Sequence, residues 1–243
     1  MFFIINAIKI IFILGFLVLI HETGHLLVAK LCKVTVKEFA IGFGPTIWKK
    51  QGKVTKYALR LIPLGGFVSM EGEEEHSDKE GSFSKSSIPK RIAIVMAGGL
   101  VNIIFALITY VILITVMTGS INRAIDSTGR FAFSIIESLK LLFSGGVTVN
   151  QLMGPVGISE IIVQTSGIEE FVYIMALISM SLGVTNLLPF PPLDGGKVVL
   201  LLIEAIRRKP IKENTEIKIQ MIGFVVLITL SIIVTFNDIT RIF

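Results

Sequence analysis

The sequence predicts an α-helical, multi-pass membrane protein with about four transmembrane helices and a β-structured loop between the first two. Of its 243 residues, 52% are hydrophobic and only 17% are charged, and the mean hydropathy is +0.79. A soluble domain carries roughly 25% charged residues. Four apolar segments are close to the length of about 20 residues that crosses a hydrocarbon core of about 30 Å. Little of the chain is then left for a soluble domain.

The first apolar segment spans residues 8–29, and His21, Glu22 and His25 interrupt its second half. No basic leader precedes it and no small-residue cleavage site follows it. We therefore expect it to be a transmembrane helix of the mature protein rather than a signal peptide. Cys32 is the only cysteine, which excludes an intrachain disulfide.

Residues 34–70 are predicted to form β structure. Residues 34–41 partly alternate between apolar and polar, and residues 54–62 form a second strand candidate after the turn signal Gln51-Gly52. Residues 63–70 are apolar but contain Pro63, Gly65 and Gly66. Such a segment cannot cross lipid, because its backbone groups would lack hydrogen-bond partners there. The region is therefore predicted to be a cytoplasmic, membrane-associated β-hairpin or re-entrant loop.

The rest of the chain contains the other three spanning segments. The second covers residues 92–117 and is followed by a predicted short external loop at residues 118–130. Residues 131–143 are apolar but too short to span the membrane, which favours an amphipathic helix that is interfacial or packed. The third segment covers residues 171–188 and leads to Asp194, and the fourth covers residues 219–236.

Lysine and arginine concentrate in residues 30–91 and 207–218. Basic loops beside apolar segments mark the cytoplasmic side of a membrane protein, so both termini are expected outside the cytosol. The net charge of +5 does not indicate nucleic-acid binding, since that function requires a basic face interleaved with exposed aromatic residues.

Residues 21–25 read His-Glu-Thr-Gly-His, an H-E-x-x-H motif. Helical positions four apart lie about 40° apart around the axis, so both imidazoles can bind one Zn²⁺ with Glu22 beside it as general base. The alternative is a polar helix face. It is disfavoured here, because a charged group at mid-membrane costs roughly 2.5–3.5 kcal/mol and a bound metal ion offsets that cost.

A catalytic zinc usually has three protein ligands, and the sequence offers few candidates for the third. His76 follows an acidic stretch and is expected to be solvated, while Glu160 and Glu204 lie near segment ends and are expected to face water. Asp194 lies between a proline-rich stretch and Gly195-Gly196. Prolines there interrupt the helix, and the freed backbone must line a cavity. The alternative for Asp194 is a cap on the following helix.

The combination of H-E-x-G-H with the later pattern N-x-x-P-x-P-x-x-D-G resembles the site-2 protease family of intramembrane metalloproteases. It is most similar to the bacterial branch that cleaves anti-sigma factors and remnant signal peptides. Three further elements carry the resemblance: the membrane re-entrant β-loop (residues 42–45 and 63–68), a G-x-x-x-N element (residues 97–102) and the segment at residues 153–158. Members of this branch usually have a PDZ domain between the second and third helices, and residues 118–130 are too short for one.

The resemblance implies a zinc ion held by His21, His25 and Asp194, with Glu22 as the general base. It also implies that Asn186 holds substrate backbone near the metal. Asn102 is a further polar partner that the resemblance suggests for the substrate.

Before attack, a helical substrate must unwind. An edge strand that includes Gly65, Gly66 and Phe67 would accept it by β-augmentation. A plain turn is the alternative for Gly65-Gly66.

The function expected from these observations is zinc-dependent endopeptidase activity in a bacterial plasma membrane. The substrates would be single-span membrane proteins, trimmed beforehand by another protease and cleaved near the cytoplasmic side. The competing interpretation is an inactive scaffold or paralogue that keeps a structural metal, but such a site has no use for Glu22. A metal transporter would carry acidic or histidine residues along more than one helix.

Overall fold

The computed structural model describes residues 2–73, 75, 77–146 and 152–242. Within these residues the chain forms seven helices and two strands: α1 (Phe2–Leu31), β1 (Val36–Gln51), β2 (Lys56–Met70), α2 (Ile88–Thr118), α3 (Ile121–Phe143), α4 (Pro155–Gln164), α5 (Ile168–Asn186), α6 (Asp194–Arg207) and α7 (Glu213–Ile242).

Four of the described helices are long and apolar enough to cross a membrane, as the sequence predicts. They are α1, α2, α5 and α7, and the spanning segments contain 19 to 31 residues. Apart from the carboxyl end of α5, the helices extend beyond the predicted apolar segments. Pro89 fits in the first turn of α2, where its missing N–H has no helical partner to lose.

The predicted loop at residues 118–130 is wrong for most of its length. Helix α3 begins at Ile121, ten residues before the expected start of the amphipathic helix at residue 131. The hydroxyl of Ser120 accepts a hydrogen bond from the backbone N–H of Arg123 and so caps the helix. Ala124, Thr128 and Phe131, which follow one another by three or four residues, form its buried stripe. The polar composition of residues 122–130 concealed this stripe.

The chain divides into two compact units. The first comprises Ile11–Asn102 and Leu182–Gly223. Its apolar core is built by residues of α1, the hairpin, α2 and α6, among them Leu26, Phe39, Met70, Ile94 and Leu201. The second unit comprises Met1–Ile10, Ile103–Ser181 and Phe224–Phe243.

The β1–β2 hairpin confirms the predicted β structure and extends it. Residues 38–41 of β1 have partners on both sides, residues 66–69 along one edge and residues 56–59 along the other. Within the described residues the sheet has only two strands, so residues 66–70 have β1 along one edge and no strand along the other. Several apolar side chains of the two strands are exposed, namely Phe43, Ile47, Trp48, Leu61 and Ile62.

Glu38 of β1 links the two strands through ion pairs with two basic side chains of β2. Its carboxylate accepts hydrogen bonds from Arg60, at 2.8 Å, and from Lys56, at 3.1 Å. Burial by itself would raise the pKa of Glu38, but these two cations outweigh burial and the pKa is lowered. Glu38 is therefore held in its charged form.

In the second unit, α4 is held at both ends by charged side chains of other helices. Gly154, at its amino end, has no side-chain cap. Instead the buried Asp238 of α7 accepts hydrogen bonds from the N–H groups of Gly154 and Gly157, at 2.9 and 2.8 Å. At the carboxyl end, the Lys9 ammonium donates to the carbonyl of Thr165 at 2.8 Å. Both charges complement the helix macrodipole.

Replacing Asp238 by alanine is expected to destabilise the protein by about 3 kcal/mol, because two buried N–H groups lose a charged acceptor. The measurement is the free energy of unfolding in detergent. Asp126→Ala is the matched control, since Asp126 is a surface carboxylate with 68% of its side chain exposed and its loss should change stability by less than about 0.5 kcal/mol. Equal effects of the two substitutions would contradict the role assigned to Asp238.

Candidate active site

Helix α1 presents His21, Glu22 and His25 in its second half. The two imidazoles are one turn apart, and their ring centroids lie 4.8 Å from each other in an edge-on arrangement. His21 is buried, and Glu22 and His25 are half-buried. The three side chains therefore lie inside the protein rather than on a lipid-facing surface.

Asp194 is the first residue of α6, directly after the loop that follows α5. Leu193 is the N-cap residue, and no side chain caps this helix end, so the alternative role of Asp194 as a helix cap is wrong. Gly195 and Gly196 allow the loop to fold tightly over the helix. A Cβ atom on either would lie within 2.6 Å of backbone atoms of Leu187, Leu188 or Pro191.

The three predicted ligands converge. The Nε2 atoms of His21 and His25 are 3.2 Å apart, and each lies 3.3 Å from Oδ2 of Asp194. Among the described residues, this is the one group of three or more His, Cys, Asp or Glu side chains with the geometry to hold a metal ion. The buried Oδ2 atom has no hydrogen-bond partner in the described part of the chain.

The outer nitrogens of the two imidazoles are also engaged. Nδ1 of His25 lies 2.8 Å from the carbonyl oxygen of Ile94. A carbonyl only accepts, so Nδ1 carries the proton and the neutral ring has its lone pair on Nε2. Nδ1 of His21 lies 3.4 Å from the amide nitrogen of Asn102. A half-turn of that amide would bring its oxygen to the same place, as an acceptor for a proton on Nδ1.

These atoms fit a tetrahedral metal ion. Two Nε2 atoms and one carboxylate oxygen lie within 3.3 Å of one another. A tetrahedral Zn²⁺ with bonds of about 2.0–2.1 Å separates its ligand atoms by about 3.3–3.4 Å, which matches the observed triangle. Two imidazoles and a carboxylate are also a donor set that zinc accepts in enzymes.

Two glycines allow helices α1 and α2 to approach closely at this site, and their role was not evident from the sequence. A Cβ atom on Gly24 would lie 2.6 Å from the carbonyl oxygen of Ala97. A Cβ atom on Gly98 would lie 2.3 Å from Nε2 of His25 and 2.7 Å from Nε2 of His21. The only signal in the sequence was the position of each glycine within a motif.

We expect Gly98→Ala to weaken zinc binding by about 10- to 100-fold, the range seen when groups that orient metal ligands are disturbed. The added methyl group would displace both imidazoles from their shared position. Zinc content at a buffered free zinc concentration measures the effect. Gly129→Ala is the control, because nothing lies within 4 Å of the added atom. Unchanged zinc affinity in Gly98→Ala would contradict this close approach.

His21, His25 and Asp194 line a cavity of about 250 Å³, together with Glu22, Gly66, Phe67 and residues of the loop before α6. Gly66 lies directly against Glu22, since a Cβ atom on it would come within 3.0 Å of the Glu22 Cγ atom. Residues 66–70, whose outer edge pairs with no described strand, therefore border the same cavity as Glu22 and the three predicted metal ligands.

The other predicted site residues are placed differently. Asn102 is fully buried against His21, which points to positioning a ligand rather than contacting substrate. Asn186 is the half-buried last residue of α5, and Gly65, with a φ of +98°, lies against the ring of Phe43. Neither Asn186 nor Gly65 is among the residues that line the cavity.

The remaining ligand candidates have other partners or are not described. Glu204 pairs with Arg91, and Glu160 accepts a hydrogen bond from Gln164. His76 lies outside the described residues.

Comparison with known proteins agrees with this geometry. Residues 9–230 match the profile of peptidase family M50. A protein of Clostridium acetobutylicum named as a candidate zinc metalloprotease is 28% identical over 329 aligned positions, which cover 96% of this chain and 97% of the relative. The zinc metalloprotease RasP of Shouchella clausii is 41% identical over 129 positions, covering 52% of this chain and 31% of the relative.

The first of these alignments is longer than the chain itself, which has 243 residues. The relative therefore carries at least 86 residues without a counterpart in this chain, which is within the usual size range of a domain. The match to the family extends over most of the chain, and four described helices are able to span a membrane. The chain belongs to peptidase family M50 and is a multi-pass membrane metalloprotease of the site-2 protease type.

Proposed function

We propose that this chain binds one Zn²⁺ through His21, His25 and Asp194 and cleaves the transmembrane segments of single-span membrane proteins. The observation that carries the proposal is the triangle of two Nε2 atoms and one carboxylate oxygen in a cavity that Glu22 also lines. Zinc in such a site lowers the pKa of a water molecule and polarises the substrate carbonyl.

The chain's own groups supply the proton transfers and the orientation. Glu22 takes the proton of the attacking water at its carboxylate and returns it to the nitrogen of the leaving amine. The Ile94 carbonyl and the Asn102 amide orient the two imidazoles from behind. We assign Asn102 this positioning role.

The substrate is proposed to bind as an added strand. Residues 66–70 present backbone groups along an edge that no described strand pairs with. An unwound substrate segment satisfies its own N–H and C=O groups on that edge without water. Gly66 and Phe67 then lie beside the scissile bond, and Asn186 remains a proposed contact to the substrate backbone.

The distribution of charge supports an orientation for the protein in the membrane. The basic loops favour a cytosolic position for the hairpin and the α6–α7 connection, with both termini outside the cytosol. Cleavage then occurs towards the cytoplasmic side of a bacterial plasma membrane. Anti-sigma factors and remnant signal peptides, trimmed first by another protease, are the proposed substrates. The inactive-scaffold alternative is not favoured, because Glu22 faces the same cavity as the ligands.

The direct test uses the purified protein in detergent. We expect close to one zinc per chain and cleavage of single-span peptides within their apolar segment. Removal of zinc by a chelator should abolish cleavage, and added zinc should restore it. A metal-free protein after purification in zinc-containing buffer would contradict the ligand assignment. Cleavage that survives complete zinc removal would contradict the mechanism.

A further inference from the structure

An ion pair lies at the boundary of the catalytic cavity and has no part in the chemistry described above. The ammonium of Lys197 is 2.7 Å from the carboxylate of Glu73. Lys197 lies on α6 one turn after Asp194, and Glu73 lies three residues after Met70, the end of β2. The pair therefore joins the helix that carries a metal ligand to the end of the proposed substrate strand.

Three cavities meet at this pair. The catalytic cavity has a volume of about 250 Å³. It is flanked by a cavity of about 640 Å³, with which it also shares Phe67, Val68 and Gln220. On another side lies a cavity of about 470 Å³, with which it also shares Leu200. Among the described residues lining these cavities, Glu73 and Lys197 alone line all three. Their paired side chains thus lie where the three cavities meet.

The two partners differ in how firmly they are held. The Lys197 ammonium lies 5.1 Å from the ring centroid of the buried Phe83, and it extends from a helix. Glu73 lies in a bend of the chain just after β2. Each side chain keeps about a fifth of its surface exposed, 21% for Lys197 and 20% for Glu73. Glu73 is therefore the partner free to move when the pair separates.

We propose that the Glu73–Lys197 ion pair is a latch that separates the catalytic cavity from the two adjoining cavities and opens when a substrate polypeptide passes. A strand added along residues 66–70 runs towards Glu73, so bound substrate reaches the pair. The adjoining cavities are also lined by the exposed Glu75 and Glu213, through which they open to solvent. The passage of a polypeptide rests on the proposed protease function, whereas closure of the cavity does not.

Closure is tested first without any protease assay. Cys32 is replaced by serine, and Val95, which lines the catalytic cavity and is 4% exposed, is replaced by cysteine as a reporter. The measurement is the rate at which a water-soluble thiol reagent labels residue 95. Glu73→Gln and Lys197→Met should each raise that rate about tenfold, as expected for the loss of one charge-assisted contact. An unchanged rate in both variants would overturn the proposal.

Two further variants separate a latch from a general loosening of the fold. Glu204→Gln breaks another half-buried ion pair, with Arg91, which lines one adjoining cavity but not the catalytic one. It should leave labelling of residue 95 unchanged. The exchange Glu73→Lys with Lys197→Glu restores opposite charges and should return the rate towards that of the parent. Equal labelling in Glu204→Gln and Glu73→Gln would overturn the proposal.

Passage of the substrate is tested by holding the pair closed. In the Cys32→Ser background, Glu73→Cys and Lys197→Cys are joined by oxidation. The closed enzyme should keep its zinc and lose cleavage of a single-span peptide, and a reductant should restore cleavage. Cleavage at the parent rate in the closed enzyme would overturn the latch. A parent enzyme that cleaves nothing while the labelling results hold would instead contradict the protease function.

Discussion

Glu22→Gln is expected to retain zinc and to lower kcat for peptide cleavage by about 10²- to 10⁴-fold, the usual contribution of a general base. Glutamine has nearly the shape of glutamate, so the cavity and the approach of Gly66 to residue 22 remain as they are. What disappears is the group that takes the proton of the attacking water. The two measurements are zinc content and single-turnover cleavage of a single-span peptide.

The matched control for this prediction is Glu160→Gln. Glu160 is a carboxylate on α4 that accepts a hydrogen bond from Gln164, and its replacement should leave both zinc content and kcat unchanged. Full activity in Glu22→Gln would show that another group is the base or that a contaminating protease produced the cleavage. Loss of zinc in Glu22→Gln would show that Glu22 supports the metal site rather than the proton transfer.

Asp194→Ala should weaken zinc binding by more than about 100-fold, because removing the orienting partners of a ligand already costs about 10- to 100-fold. The two Nε2 atoms would remain 3.2 Å apart, but the third side of the triangle would be open. Activity should fall with zinc occupancy at low free zinc. Competition with a chelator of known affinity measures the binding constant.

Asp126→Ala removes an exposed carboxylate and serves as the control, with zinc binding expected to stay at the parent level. Asp194→Asn keeps one oxygen at the site without its charge, so its zinc affinity should lie between those of the parent and Asp194→Ala. Zinc binding of parent strength in Asp194→Ala would mean that another side chain supplies the third ligand.

The sequence predicted most directly those site residues that lie close together along the chain. His21 and His25 are separated by one helical turn, so their convergence follows from helix geometry alone. Asp194 is far from them in sequence, and only its setting among prolines and glycines, together with the family resemblance, connected it to the same ion. The structure then brought the three ligand atoms to within 3.2 to 3.3 Å of one another.

The prediction for residues 118–130 shows where a local pattern misled. Residues 121–130 were expected in a loop, yet they form the first part of a helix whose buried stripe consists of Ala124, Thr128 and Phe131. The substrate contact of Asn102 stays a prediction, and the structure adds that this side chain lies fully buried against His21. In both cases a partner of the buried side chains lies on another part of the chain.

The sequence by itself determined the membrane class, the four spanning helices, the β-hairpin and the motif that binds the metal, because apolar length, turn residues and helical spacing are local properties. Only the tertiary structure decided that Gly24 and Gly98 bring α2 against the imidazoles, that Ile94 sets the His25 tautomer, and that Glu73 and Lys197 line the same three cavities. These features are contacts between residues far apart in the sequence. Such contacts depend on packing at distances of a few ångströms, which no periodicity along the chain records.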